Sequence, residues 1–521
     1  MGAGTGLGPQ SLPIDRPTMN VVQSCVDTLV SRITQNRPRP IFLTDNGNYK
    51  ERNLAKQLNG FIQGELYQTK AYALGETLLR DAAVVGTGVL KIFERDNRVA
   101  LERKLITELL VDPNESLHGN PRQLMELALV DRSVLMEVFP EYRAVIEKAE
   151  QAYPDNSGES TRTVSDQVMV VEGWHLPSGK GASDGKHIIA CSAGCILDES
   201  FDKQKFPFIF MPYSSRLLGF EGQGLAEQLM GTQVEINKLL ITISTAINLV
   251  GVPRVFVEDG SKVVKAHLNN MIGSIVTYRG TKPSYEVAPC VPAELYQQLQ
   301  RLIEFAYKQS GISELAASSQ KPAGLTSGTA LREYDDLQSD RFAALSRRYD
   351  NVFIDLAYAI TDLAKDIAER DGKYTTVYPN KDGTKEIDLP KADLIKEPII
   401  QCYDSSALPK DPAGRKQTII EMMQAGLISQ PEGRRLLDYP DLEQEEVLAN
   451  AGEERILKIL DDIVDSGKYT PPDPFMNFDL ATQKTTEYIN LYSSAGLEES
   501  KAQKLRDFFT QVQALKTAAI P

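Results

Sequence analysis

Phosphate-cradling turns, metal-holding cysteines and histidines, and carboxylates that trade protons each leave a spacing signature. Residues of all these types occur in this chain. "GTGVLK" (Gly86 to Lys91) lacks the G-x-x-x-x-G-K-[ST] spacing that lays successive backbone N–H groups around a phosphate, and it falls where a helical pattern gives way to a strand. "GFEGQG" (Gly219 to Gly224) is not G-x-G-x-x-G and precedes a helix without a strand-helix-strand context. His118, His175, His187 and His267 are scattered, and Cys191 with Cys195 has no second pair, so no zinc spacing is present. Asp335 with Asp336, and Asp461 with Asp462, lie in helical patterns where a solvated acidic face is the simpler account. No G-x-S-x-G elbow occurs. The residue pattern therefore predicts no enzyme, no cofactor and no metal.

The elements that would position a site follow a definite order. Helical spacing at 15–35 and 51–85 ends at Gly86 and Gly88, and short β-rich runs with turns at "RDNR" and "DPNE" follow. A helical stretch at Ser133 to Ala152 precedes strands in "QVMVVEGWHL", "HIIACSAGCILDE" and "FPFIFMPY". Residues 1–223 thus read as one α+β region. From Gly224 a helix pattern holds for about 25 residues, roughly 37 Å at the standard rise. It stops at "GVP", and 253–292 are β-like pieces broken by Gly and Pro. A helix over 293–310 returns, with Leu295, Leu299, Leu302, Ile303 and either Phe305 or Ala306 near one face.

Gly311 to Ser327 is small, polar and interrupted by Pro322 and Gly324. Behind it Leu345, Tyr349, Val352, Phe353, Leu356, Ile360, Leu363 and Ile367 keep 3-4 spacing in a long helix that Ser327 or Thr329 can cap. A hairpin signal stands in "YPNKDGTKEIDL", and the chain from Asp411 is nearly all helical.

Bulk properties bound the function. At 521 residues, 42% hydrophobic and 25% charged, the chain is globular and long enough for several domains. Its formal net charge of −14 repels polyanions, so any contact with DNA is local or transient. Five widely spaced cysteines, Cys25, Cys191, Cys195, Cys290 and Cys402, fit reduced thiols. The first 17 residues read as a mobile arm without a secretory pattern. The longest apolar run, Leu239 to Pro253, is interrupted by Thr, Ser and Asn and is too short to cross a bilayer.

The order of helix, small β module, returning helix, polar loop, long helix and helical C-terminal domain resembles a bacteriophage portal protein. The resemblance is carried by "LLRDAAVVGTGVLKIF" with "TELLVDPNE", and by "GLAEQLMGTQVEINKLL" leading to "VPRVFVEDG". It continues in "SGISELA…GLTSGTALREYDDLQSDRF" and "IIEMMQAGLISQPEGRRLLDYPD", so it covers most of the chain. It implies an α+β portal-like subunit in which 1–223 and the strands at 372–410 form a wing, and 224–250 and 293–310 form two stem helices. By the same likeness 251–292 would be the clip, 311–327 the tunnel loop, 328–371 the long helix and 411–521 the helical crown.

What the resemblance implies about function is a dodecameric ring at one capsid vertex, a conduit for double-stranded DNA in packaging and ejection. The large terminase subunit would dock on the clip, followed by head-tail connector proteins, with major capsid and scaffolding proteins as further partners. The protein would assemble in the host cytoplasm and reside in the virion, with no membrane involved. In the tunnel loop Ser318, Ser319, Gln320 and Lys321 would meet phosphates without reading sequence. Arg301 and Lys308 would line the stem, and Arg254, Lys262, Lys265, Arg279 and Lys282 would serve the clip. The same residues also fit a connector packed outside the channel and ordinary solvated cations. Two other classes stay open: a metal-dependent nucleic-acid-processing enzyme subunit, and a tail or baseplate structural protein.

Overall fold

The computed structural model describes residues 17–35, 37–43, 49–119, 121–152, 166–179, 181–251, 254–256, 284–286, 293–312, 342–380, 383–389, 399–403, 419–425, 452–453, 455–464, 466–494 and 496–518. The fold is α+β, with helices alongside antiparallel strand ladders. Two compact units make up the chain. One consists of Met1–Ile33, Glu76–Leu90 and Arg103–Arg347, the other of Thr34–Gly75, Lys91–Glu102 and Arg348–Pro521.

In chain order the elements are α1 (Val21–Thr34), β1 (Arg39–Leu43), α2 (Tyr49–Gln68), α3 (Ala71–Val85), β2 (Thr87–Arg95), β3 (Arg98–Leu105) and β4 (Leu109–Leu110). Next come β5 (Gln123–Asp131), α4 (Arg132–Val138), α5 (Arg143–Ile146), β6 (Gln167–His175), β7 (Lys186–Cys191), β8 (Gly194–Ser200) and β9 (Phe208–Pro212). The expected single helix over 51–85 is two. Lys70 takes φ +53, in the left-handed region that ends a helix, between α2 and α3. The expected helix over 133–152 is also broken: Pro140 has no N–H to donate back and opens a 3-10 turn between α4 and α5.

The first unit is built on a five-stranded antiparallel sheet of order β4-β5-β6-β7-β8. Period-two alternation sends Leu124, Val168, Val170 and Trp174 to its covered face, where all four are buried. Trp174, Leu124, Val89, Leu109 and Phe208 share one apolar cluster, and Leu135 and Ile146 close Val170 and Ile196 into another. The chain then runs through α6 (Leu225–Gly251), β10 (Arg254–Phe256), β11 (Ser284–Glu286) and α7 (Ala293–Ser310).

The second unit holds most of α8 (Ala343–Asp371), then β12 (Thr375–Asn380), β13 (Gly383–Asp388) and β14 (Ile399–Tyr403). The 3-4 spacing read for α8 is its buried stripe, since Tyr349, Val352, Phe353, Leu356, Ile360 and Ile367 are all buried. Leu363 is only half-buried, and Ala364 beside it takes the inner seat. The segment from 328 to 341 lies outside the described residues. β14 pairs antiparallel with β1, joining strands far apart in sequence, and β12 pairs with β13 as the hairpin signal predicts. Toward the C-terminus a helical segment at 455–464, α9 (Phe478–Ser494) and α10 (Glu499–Ala518) enclose a core of Ile456, Leu460, Ile463, Leu505, Phe508 and Val512.

Candidate functional site

The two helices expected at 224–250 and 293–310 form, and they lie antiparallel. Gln309 Nε2, in the last turn of α7, donates to the carbonyl of Gln228 in the first turn of α6 at 2.9 Å. Twenty-seven residues make α6 about 40 Å long, and eighteen make α7 about 27 Å. Between their far ends β10 and β11 pair antiparallel, with Arg254 opposite Glu286 and Phe256 opposite Ser284. The chain therefore leaves along one helix, crosses through a two-stranded ladder and returns along the other.

The base of this hairpin is tied down by α1. The backbone N–H groups of Val21 and Val22, donors that a helix start leaves without internal partners, both reach Gln233 Oε1 of α6, at 3.0 and 3.4 Å. Gln233 Nε2 in turn donates to Met19 O at 2.6 Å. On the α7 side the Cys25 thiol donates to Ser310 Oγ at 3.5 Å, and burial pushes that thiol's pKa up. Of the two residues weighed for the inner face of α7, Ala306 is buried and Phe305 is exposed.

Arg301 and Lys308 are exposed and seven residues apart, which is two helical turns and hence one stripe of α7. Glu304 lies between them and is 4.0 Å from Lys308. Across α6 and α7 the charged residues are Glu227, Glu235, Lys238, Glu294, Arg301, Glu304 and Lys308, an excess of one negative charge. Such a surface carries no dense cationic field. Arg254 takes the first position of β10. Ser318, Ser319, Gln320 and Lys321, and Lys262, Lys265, Arg279 and Lys282, which the resemblance assigns to a clip, lie outside the described residues, as do His267, Asp335 and Asp336.

The two glycine stretches, Gly86 to Lys91 and Gly219 to Gly224, meet each other. Gly222 N–H donates to the buried Thr87 Oγ1 at 2.8 Å, and a Cβ added to Gly86, whose φ is +99, would stand 2.3 Å from Gly222 O. Their backbones are in contact, and no phosphate-sized opening separates them. Cys191 and Cys195 are free thiols that donate to carbonyls of their own hairpin. Asp461 accepts from the Tyr488 hydroxyl at 3.0 Å, tying α9 to the helical segment before it. Among the described residues no group of three His, Cys, Asp or Glu side chains is arranged to hold a metal ion.

One polar cluster has no counterpart among the residue groups that the sequence pattern singles out. His187 of β7 places Nδ1 2.7 Å from Glu199 Oε1 of β8 and Nε2 2.9 Å from Glu172 Oε1 of β6. One row along the sheet, the buried Glu126 of β5 pairs with Lys104 of β3 at 2.8 Å. The signal was present as alternation, since Glu172 and Trp174 share a face of β6, but only strand register brings His187 to them.

No family model matches this chain, and no curated protein matches it either.

Proposed function

We propose that this chain is a portal-type subunit. Copies would close into a ring of about twelve through heterologous contacts and form a conduit for double-stranded DNA at one capsid vertex. The observation that carries the reading is the excursion from α6 through the β10–β11 ladder to α7, anchored at its base by Gln309 and Gln228. Two long helices pinned side by side and tipped by a small β module suit the wall and mouth of a channel. In this reading α6 and α7 are the stem, β10 and β11 belong to the clip, α8 is the long helix that follows the tunnel loop, and the C-terminal helices form the crown.

The near-balanced charge of α6 and α7 supports a passage through which DNA slides, because dense phosphate neutralisation would hold it. The protein would perform no chemistry of its own. The large terminase subunit would dock on the clip and supply the driving force, head-tail connector proteins would replace it, and capsid and scaffolding proteins would surround the ring in the virion. Sedimentation of the purified protein tests this reading. A discrete assembly near twelve copies supports it, whereas a monomer at every concentration, with or without scaffolding protein, argues against it. Cleavage of DNA by the pure protein on addition of a divalent cation would favour a nuclease instead.

A further inference from the structure

His187 lies between two register partners, Trp174 on β6 and Glu199 on β8. Both of its ring nitrogens face carboxylate oxygens, Glu199 Oε1 at 2.7 Å and Glu172 Oε1 at 2.9 Å. A neutral imidazole carries one N–H, so one of these contacts would set a nitrogen lone pair against a carboxylate lone pair. Only the imidazolium donates at both. The Trp174 ring stacks on the same imidazole, with centroids 5.3 Å apart and planes 12° from parallel, and an aromatic face favours a cation.

We propose that His187 is carried as the imidazolium and that its proton clasps the outermost strand, β8, to the sheet, so that losing the proton loosens this edge. The inference goes beyond the ring reading and does not depend on it. Among the described residues β8 is the last strand of the ladder and has β7 as its one neighbour in the sheet, so a contact from β7 bears directly on how firmly that edge is held.

The charged groups around the ring agree. Glu172 faces it from β6 and Glu199 from β8, while Glu126 of β5, the register partner of Glu172, is engaged by Lys104 of β3. Lys186, the preceding residue of β7, alternates to the opposite face and pairs with Asp198. Burial alone favours loss of the proton and is the largest single influence, yet the two glutamates together outweigh it and raise the pKa above the ordinary 6.5. A raised value means that the clasp is fully made below about pH 6.5 and is lost as pH rises through the folded value.

Hydrogen exchange of the full chain, followed by mass spectrometry across a pH series and corrected for intrinsic rates, tests this. Peptides covering β8 are compared with peptides covering β5 of the same sheet. Protection of β8 should fall relative to β5 by up to about tenfold per pH unit above about 6.5 and then level off. Glu199→Gln, which keeps a hydrogen-bonding group but removes the charge, should move that fall to lower pH, and His187→Gln should abolish it. A flat wild-type profile, an unshifted Glu199→Gln profile, or the same fall in His187→Gln overturns the proposal. Should His187→Gln fail to fold, the wild-type and Glu199→Gln profiles decide alone.

Discussion

Gln309 in the last turn of α7 donates a hydrogen bond to the carbonyl of Gln228 in the first turn of α6. This contact spans 81 positions of sequence and closes the excursion on itself, so the β10–β11 ladder is carried at the end of two mutually braced helices. Removing the amide by Gln309→Ala should cost about 1 kcal/mol, the usual net worth of one such bond. Faster proteolysis between β10 and β11 in the variant than in the parent chain would show it, and unchanged cleavage would mean that packing alone closes the base.

Gly88→Ala should destabilise the first unit. A Cβ at this position would lie 2.1 Å from the Leu78 carbonyl oxygen, a backbone atom that cannot swing aside. A loss of about 2–4 kcal/mol is expected in urea unfolding, in the range of overpacking in a closed core. Gly231→Ala in α6 is the control, because nothing lies near its added Cβ. It should be neutral or slightly stabilising.

Lys104→Met should be costly and Lys104→Met with Glu126→Gln much less so. Glu126 is 2% exposed and its cation sits 2.8 Å away, so removing Lys104 alone leaves a buried carboxylate without that counter-charge. The single change should cost about 3–5 kcal/mol, and the pair should recover most of it. Equal losses in the single and double variants would mean that the lysine stem, rather than its charge, matters at this site.

Glu65 gives the second unit a pH dependence of its own. Burial is the dominant influence and pushes its carboxyl above the ordinary 4.5, against the opposing hydrogen bond that the Tyr374 hydroxyl donates to Glu65 Oε2 at 3.2 Å. Because the folded value is raised, the associated stability is fully present below about pH 4.5 and is lost as pH rises through the folded value. Glu65→Gln should therefore flatten the stability profile above that pH and leave the Tyr374 hydroxyl a neutral acceptor. A denaturation midpoint with the same slope against pH in both proteins would remove Glu65 as its source.

Reversing the exposed cations of α7, as Arg301→Glu with Lys308→Glu, should leave assembly intact and weaken retention of DNA, with a smaller dependence on salt than the parent shows. Gel filtration and filter-binding across a salt series read the two effects separately. Unchanged DNA retention by intact assemblies would place this stripe away from the passage.

Much of this architecture was legible in the sequence where signals are local. The 3-4 spacing of Leu345, Tyr349, Val352 and Phe353 foretold the buried stripe of α8, and "RDNR" foretold the hairpin in which Asp96 and Asn97 take φ +52 and +58. The break at Lys70 is not legible in the sequence because apolar residues continue at helical spacing on both sides of it. The cluster at His187 is hidden from the sequence for a different reason. Glu172 and Glu199 are 15 and 12 residues away, and only the antiparallel register of β6, β7 and β8 brings them to one ring. Lys321 of the loop and Lys262, Lys265, Arg279 and Lys282 lie outside the described residues.

Electron microscopy of the purified protein, with end-on views classified by rotational symmetry, tests the central claim most directly. Rings of about twelve subunits around a hole wide enough for a DNA duplex are expected, with narrow projections at one end from α6, α7 and the ladder between them. Compact monomers or closed two-fold dimers without a central hole, in the presence of scaffolding protein as well as alone, would contradict it.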